Sequence, residues 1–139
     1  MIDIENLTIE FGTVRPINAL TLRIESPRHG IIGPNGAGKT TLLNAMSGFV
    51  RPLEGTISAF DVDIGAMSPR ARARWGLRRT FQTEQLAEDL SAWDNIAIAR
   101  DHCGGAGRTV GEACELVGLT APRRPARSLP TIDRRLTEL

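Results

Sequence analysis

The stretch "GIIGPNGAGKTT", Gly30 to Thr41, decides how this chain is read. "GIIG" is a short apolar run that reads as a strand, and it opens directly into a loop with glycines at 33, 36 and 38. Leu42, Leu43, Met46 and Phe49 then recur at helical spacing, with a stop signal at Gly48. Strand, glycine loop and helix frame Gly33-x-x-x-x-Gly38-Lys39-Thr40, the pattern of a phosphate-binding loop. Glycine lets the backbone wrap tightly, so that successive N–H groups converge on phosphate oxygens, and the helix N-terminus adds a favourable dipole. On this pattern Gly33, Pro34, Asn35, Gly36, Ala37 and Gly38 form the cradle, and Lys39 reaches the β- and γ-phosphates. Thr40 offers its hydroxyl to Mg²⁺ and Thr41 a further hydroxyl to phosphate.

Lys39 is the only lysine; the sixteen other long cationic side chains, of seventeen in all, are arginine. A broad planar guanidinium does not replace a slim ammonium threaded into a phosphate cradle, which explains why lysine is kept at this one place. The Asn/Thr-Lys-x-Asp motif of guanine recognition needs a second lysine, so a GTPase reading is poor.

A chain of 139 residues is long enough for one domain with a real core and too short for two. At 41% hydrophobic and 24% charged it lies in the ordinary globular range, and a net charge of +1 argues against electrostatic attraction to nucleic acid or membrane as its main activity. The opening "MIDIENLTIEF" is acidic and alternating, unlike the basic region and apolar run of a signal peptide. No apolar stretch approaches the roughly 18 to 20 residues of a spanning helix, so direct membrane insertion is not expected. Cys103 and Cys114 stand apart from any histidine or cysteine cluster and read as reduced thiols.

Around the loop, Ile2, Ile4, Leu7, Ile9 and Phe11, then Leu20, Leu22 and Ile24, alternate as two half-buried antiparallel strands joined near Gly12. "GTISAF" and "GLRRTF" read as further strands. Ser68-Pro69 opens a short arginine-rich helix that closes at Gly76. Ser91 with Asp94, and Thr109 with Glu112, have capping-box spacing and predict helices over about 92–102 and 110–117, the second ending at Gly118. The connector "TAPRRPARSLP" precedes a last helical start at Asp133. Five arginines, Arg70, Arg72, Arg74, Arg78 and Arg79, read as a solvated helix face rather than a nucleic-acid patch, and Arg123, Arg124 and Arg127 as a soluble connector. Strand-rich first and helical afterwards, the chain is expected to be an α/β protein.

"GPNGAGKTTLLNAMSG" followed by "RRTFQ" resembles the nucleotide-binding subunit of an ABC transporter. More narrowly, "RRTFQTEQLAEDLSAWDNI" is similar to the ATPases of branched-chain amino-acid uptake systems. The resemblance implies a P-loop NTPase (RecA-like) core with an N-terminal antiparallel β segment, over residues 1–82, and a partial helical subdomain over 83–139. It also implies ATP and Mg²⁺ as ligands, a second nucleotide-binding subunit and transmembrane permease subunits as partners, and a cytoplasmic position held to the membrane through the permease. By the same resemblance, Phe11 stacks on the adenine ring, the alternative being a core phenylalanine at a strand end. Gln82 helps coordinate Mg²⁺ and the attacking water and senses the permease; a neutral amide can ligate a metal and release it as a loop moves.

Two departures from the family pattern bear on activity. Leu129, Pro130, Thr131, Ile132 and Asp133 stand where the family has its L-S-G-G-Q signature, with bulky Ile132 in place of the second glycine, where close backbone approach to phosphate is needed. Nothing reads as four apolar residues followed by Asp-Glu, and neither His29, before the loop, nor His102, at a helix end, suits the switch histidine. The family domain runs to about 230 to 260 residues, so the resemblance implies an incomplete domain that binds nucleotide and hydrolyses little. Rival readings are a non-hydrolysing nucleotide-binding or scaffold protein, and the P-loop half of a nucleic-acid-repair ATPase.

Overall fold

The computed structural model describes residues 1–102, 104–105 and 107–138. Cys103 lies outside them. The chain folds as two compact units, Met1–Leu77 and Arg78–Leu139, each with its own apolar core.

The first unit is built on the predicted hairpin. β1 (Ile2–Phe11) and β2 (Val14–Ile24) pair antiparallel, with Ile2 opposite Ile24 and Phe11 opposite Val14 across the turn at Gly12. β3 (Glu54–Ala59) and β4 (Val62–Asp63) extend the sheet in the order β2-β1-β3-β4, antiparallel throughout. Alternation puts Ile4, Leu7, Ile9 and Ile57 on the core side, where they are almost wholly buried. The register is not continuous, because Asn6 and Ala19 take left-handed backbone and break the ladder. Each bulge amide finds a threonine hydroxyl: Asn6 N donates to Thr21 Oγ1 at 3.1 Å and Ala19 N to Thr8 Oγ1 at 3.1 Å. A β-branched polar residue in a strand can thus supply the acceptor that the bulge removes.

Two predicted strands are not formed. Residues 30–32 are irregular and exposed, with Ile32 94% accessible, and 77–81 have no regular structure. A strand satisfies its N–H and C=O groups through neighbours. Among the described residues, neither segment pairs with a strand of the sheet.

α1 (Lys39–Met46) buries Leu42 and Ala45 against the sheet core while Leu43 and Phe49 face out. α2 (Pro69–Trp75) starts as predicted, with Ser68 Oγ accepting from Ala71 N, and closes at Gly76. In the second unit, α3 (Ala92–His102) and α4 (Val110–Val117) carry the expected caps; Thr109 and Glu112 form a full capping box and Gly118 ends α4 in the left-handed region. α5 (Thr131–Thr137) begins two residues before the predicted start at Asp133. The proline-arginine connector is not simply solvated. It holds a 3₁₀ turn (Ala126–Ser128), and Ala126 and Leu129 are buried, Leu129 in the second core with Ala92, Val110, Cys114 and Leu119.

Candidate nucleotide-binding site

The loop before α1 has the backbone that its glycines encode. Gly36 and Gly38 have φ of 86° and 84°, a region that L side chains enter only under strain. At Gly38 space is limiting too, since a Cβ would sit 2.6 Å from the Pro16 carbonyl oxygen on β2. Glycine therefore does two things here: it allows the left-handed turn and it lets the loop press onto the sheet. Ala37 N donates back to Pro34 O at 3.3 Å, and Leu42 N donates to Gly38 O at 2.8 Å, so the helix begins as the loop closes.

Lys39 is the first residue of α1, and its ammonium folds back over the loop, donating to Gly33 O at 2.7 Å and Pro34 O at 2.6 Å. Backbone carbonyls hold the cation at the mouth of the cradle, a position from which it can exchange those acceptors for phosphate oxygens. The first turn of α1 contains no acidic residue to compete with an anion. Thr40 is exposed and Thr41 half-buried on that same turn. Left-handed glycines, an ammonium over the loop and hydroxyls on the next two residues form a donor set that fits a nucleotide polyphosphate and its Mg²⁺.

Phe11 ends β1 beside the turn and is 52% exposed, outside the core cluster, so a core phenylalanine does not describe it. Gln82 belongs to the second unit and is exposed in an irregular segment. Its backbone is held by α5: Arg135 donates from Nη1 to Phe81 O at 3.0 Å and from Nη2 to Gln82 O at 2.6 Å. At the position of the expected signature, Leu129 is buried, Ile132 is 66% exposed and Asp133 is buried.

The arginine cluster needs correction. Arg70, Arg74 and Arg78 are exposed, but Arg72 is 2% exposed. Its guanidinium donates to the carbonyls of Met67, Ala45, Met46 and Gly65 at 3.0, 2.5, 2.7 and 3.0 Å. Burial lowers its pKa, and the Asp63 charge opposes that shift. α1 has no basic residue in its own last turn, so Arg72 supplies the cation that the carbonyl end of the helix favours. Arg123 lies over the Trp93 ring at 4.7 Å and Arg127 pairs with Asp89, so these two connector arginines also have defined partners. Arg72, Arg135 and Asn95 escaped the sequence reading. Asn95 accepts from Ala87 N at 2.8 Å and donates to Ala87 O and Ser91 O at 3.1 and 2.9 Å. Cys114 is buried, which raises its thiol pKa, and no His/Cys/Asp/Glu group suited to a metal occurs among the described residues.

Comparison with known proteins agrees with this geometry. The chain is 35% identical over 101 residues to the high-affinity branched-chain amino acid transport ATP-binding protein BraF of Pseudomonas aeruginosa, an alignment that covers 72% of this chain and 40% of the relative. It is 33% identical over 101 residues to LivG of Escherichia coli, a protein of the same description, with the same coverage of each chain. The chain thus matches well under half the length of these relatives. The fold superposes on the ADP conformation of an ATP-binding cassette of an ABC transporter with a TM-score of 0.82 at 25% identity, covering 99% of this chain and 62% of the cassette. A dimeric ATP-binding cassette in a post-hydrolysis state with ADP and Pi superposes with a TM-score of 0.78 at 18% identity, covering 99% of this chain and 67% of that one, a likeness of fold. With residues 17–136 matching the ABC transporter family and the phosphate loop inside that span, the chain belongs to the ABC transporter ATP-binding family.

Proposed function

We propose that these residues are the ATP-binding part of an ABC transporter ATPase that powers uptake of branched-chain amino acids or a related small solute. The observation that carries this reading is the Lys39 ammonium lying over the Gly33 and Pro34 carbonyls of a loop whose Gly36 and Gly38 are left-handed. In this reading residues 33–38 cradle the phosphates, Lys39 and Thr41 neutralise and bond them, Thr40 and Gln82 take Mg²⁺, and Phe11 stacks on adenine. Bound Mg²⁺ would supply charge neutralisation at the phosphates. Its partners are a second nucleotide-binding subunit and a membrane permease, and its place is the cytoplasmic face of the membrane. No helix among the described residues is long and apolar enough to cross a membrane, which is compatible with attachment through such a permease.

Two measurements test this. In a fluorescent-nucleotide titration, Lys39→Ala removes a charge-assisted contact of about 1.5 to 3 kcal/mol and weakens ATP binding on the order of tenfold to a hundredfold. Lys39→Arg does not restore it, because the fork is too broad for the cradle. Unchanged affinity in Lys39→Ala rejects the site. In cells, the same substitution at the native locus is expected to stop uptake of radiolabelled leucine, isoleucine and valine while leaving glucose uptake intact; unaffected amino-acid uptake rejects branched-chain amino acids as the solute.

A further inference from the structure

We propose that Arg135 is a positioning residue for Gln82, acting by a bidentate grip on the backbone of the loop that presents the glutamine side chain; this rests on the reading of Gln82 as a Mg²⁺ ligand. One planar guanidinium donates to two successive carbonyls, to Phe81 O at 3.0 Å and to Gln82 O at 2.6 Å, across more than fifty positions of sequence. Two parallel donors on one rigid plane fix the orientation of the peptide between those carbonyls, which a single ammonium does not do.

The fork is itself aimed by two carboxylates. Glu138 Oε2 accepts from Arg135 Nη1 at 3.3 Å, and Glu84 Oε1 lies 3.6 Å from Nε. Both acids also hold the loop. Glu138 Oε1 accepts from Gln85 N at 2.5 Å, while Glu84 Oε2 pairs with Arg134 Nε at 2.5 Å. Arg134 reaches on to Glu88 at 3.0 Å. Residues 81–88 have no helix or strand, yet their backbone is fixed to α5 at Phe81 O and Gln82 O and to its C-cap residue Glu138 at Gln85 N. The arrangement leaves the Gln82 side chain exposed while the peptide beneath it is held, as a metal-ligating amide that must return to one place requires.

Arg135 is 43% exposed while its carboxylate partners Glu138 and Glu84 are only 9% and 15% exposed, so the titration without Mg²⁺ is what separates placement of Gln82 from a general loss of the fold. The wild-type chain, Gln82→Ala, Arg135→Ala, Arg135→Lys and the Gln82→Ala/Arg135→Ala double variant are titrated with ATP, with and without Mg²⁺. Amide hydrogen exchange of Gln85, whose N–H donates to the same Glu138 that pairs with Arg135, is followed in each. Arg135→Ala is expected to cut the Mg²⁺-dependent gain in affinity by about three- to tenfold, leave Mg²⁺-free binding unchanged, and speed exchange of this amide. Arg135→Lys recovers only part, and the double variant is no worse than Gln82→Ala alone. A wild-type Mg²⁺ gain in Arg135→Ala, where Gln82→Ala loses it, overturns the proposal. A Gln82→Ala chain with the full Mg²⁺ gain instead rejects Gln82 as a ligand. The grip is then judged by exchange, which upholds it if faster in Arg135→Ala and overturns it if unchanged.

Discussion

Arg72 Nη1 donates to the Ala45 carbonyl at 2.5 Å, joining a side chain of α2 to the last turn of α1 across 27 positions of sequence. The contact is buried, and three further carbonyls depend on the same guanidinium. Gly48 makes room for it, since a Cβ there would lie 3.0 Å from Arg72 Nε. The helix that starts at the phosphate loop is therefore held at its far end by a buried cation. Arg72→Ala leaves four carbonyls without this donor, and a loss of about 2 to 4 kcal/mol is expected in urea denaturation. Arg72→Lys, with fewer donors, should recover part of it. A midpoint shift equivalent to less than about 0.5 kcal/mol in Arg72→Ala, the level of an ordinary surface substitution, would show that the contact contributes nothing.

Gly36 and Gly38 share nearly the same φ, 86° and 84°, and differ in surroundings. At Gly36 a Cβ meets nothing within 4 Å, so alanine there adds only left-handed strain of about 1 to 2 kcal/mol. At Gly38 the same Cβ also runs into Pro16 O at 2.6 Å, and either the loop or β2 must move. Gly38→Ala is expected to destabilise the chain by more than Gly36→Ala, in chemical denaturation of the two single variants side by side. Equal losses would mean that the approach of the loop to the sheet carries no constraint.

The fold was legible wherever one residue type answers one local need. Alternating Ile2, Ile4 and Leu20, Leu22 marked the hairpin, and Ser68, Ser91 and Thr109 marked helix starts, because a hydroxyl at the cap bonds an amide three residues on. The phosphate loop was legible because glycine spacing encodes backbone angles directly. "GIIG" and "GLRRTF" were misread because apolar composition says nothing about whether a neighbouring strand exists. Arg72 and Arg135 were hidden for a related reason. In a chain with sixteen arginines, composition cannot tell a buried fork on backbone carbonyls from a solvated one, and their partners lie 26 to 54 positions away or only a few, with no motif to mark either.

The capping box of α4 makes a prediction about acid. The Glu112 carboxylate accepts from Thr109 N at 2.7 Å and from Thr109 Oγ1 at 2.8 Å. The backbone bond first, then the hydroxyl bond, lower its pKa below the ordinary 4.5, with a smaller contribution from the Arg108 charge. A carboxylate with a depressed folded-state pKa contributes stability above its unfolded value, and that contribution is lost as pH falls through the folded value. The contribution is therefore full near neutrality and begins to fade below about pH 4.5. Glu112→Gln keeps a side chain that can complete the box but removes the charge. Wild type should melt above Glu112→Gln at pH 7, and the two melting temperatures should converge as pH is lowered from about 5 to 3. A gap that stays constant across that range would show that the charge of Glu112 plays no part and that the box acts through neutral hydrogen bonds alone.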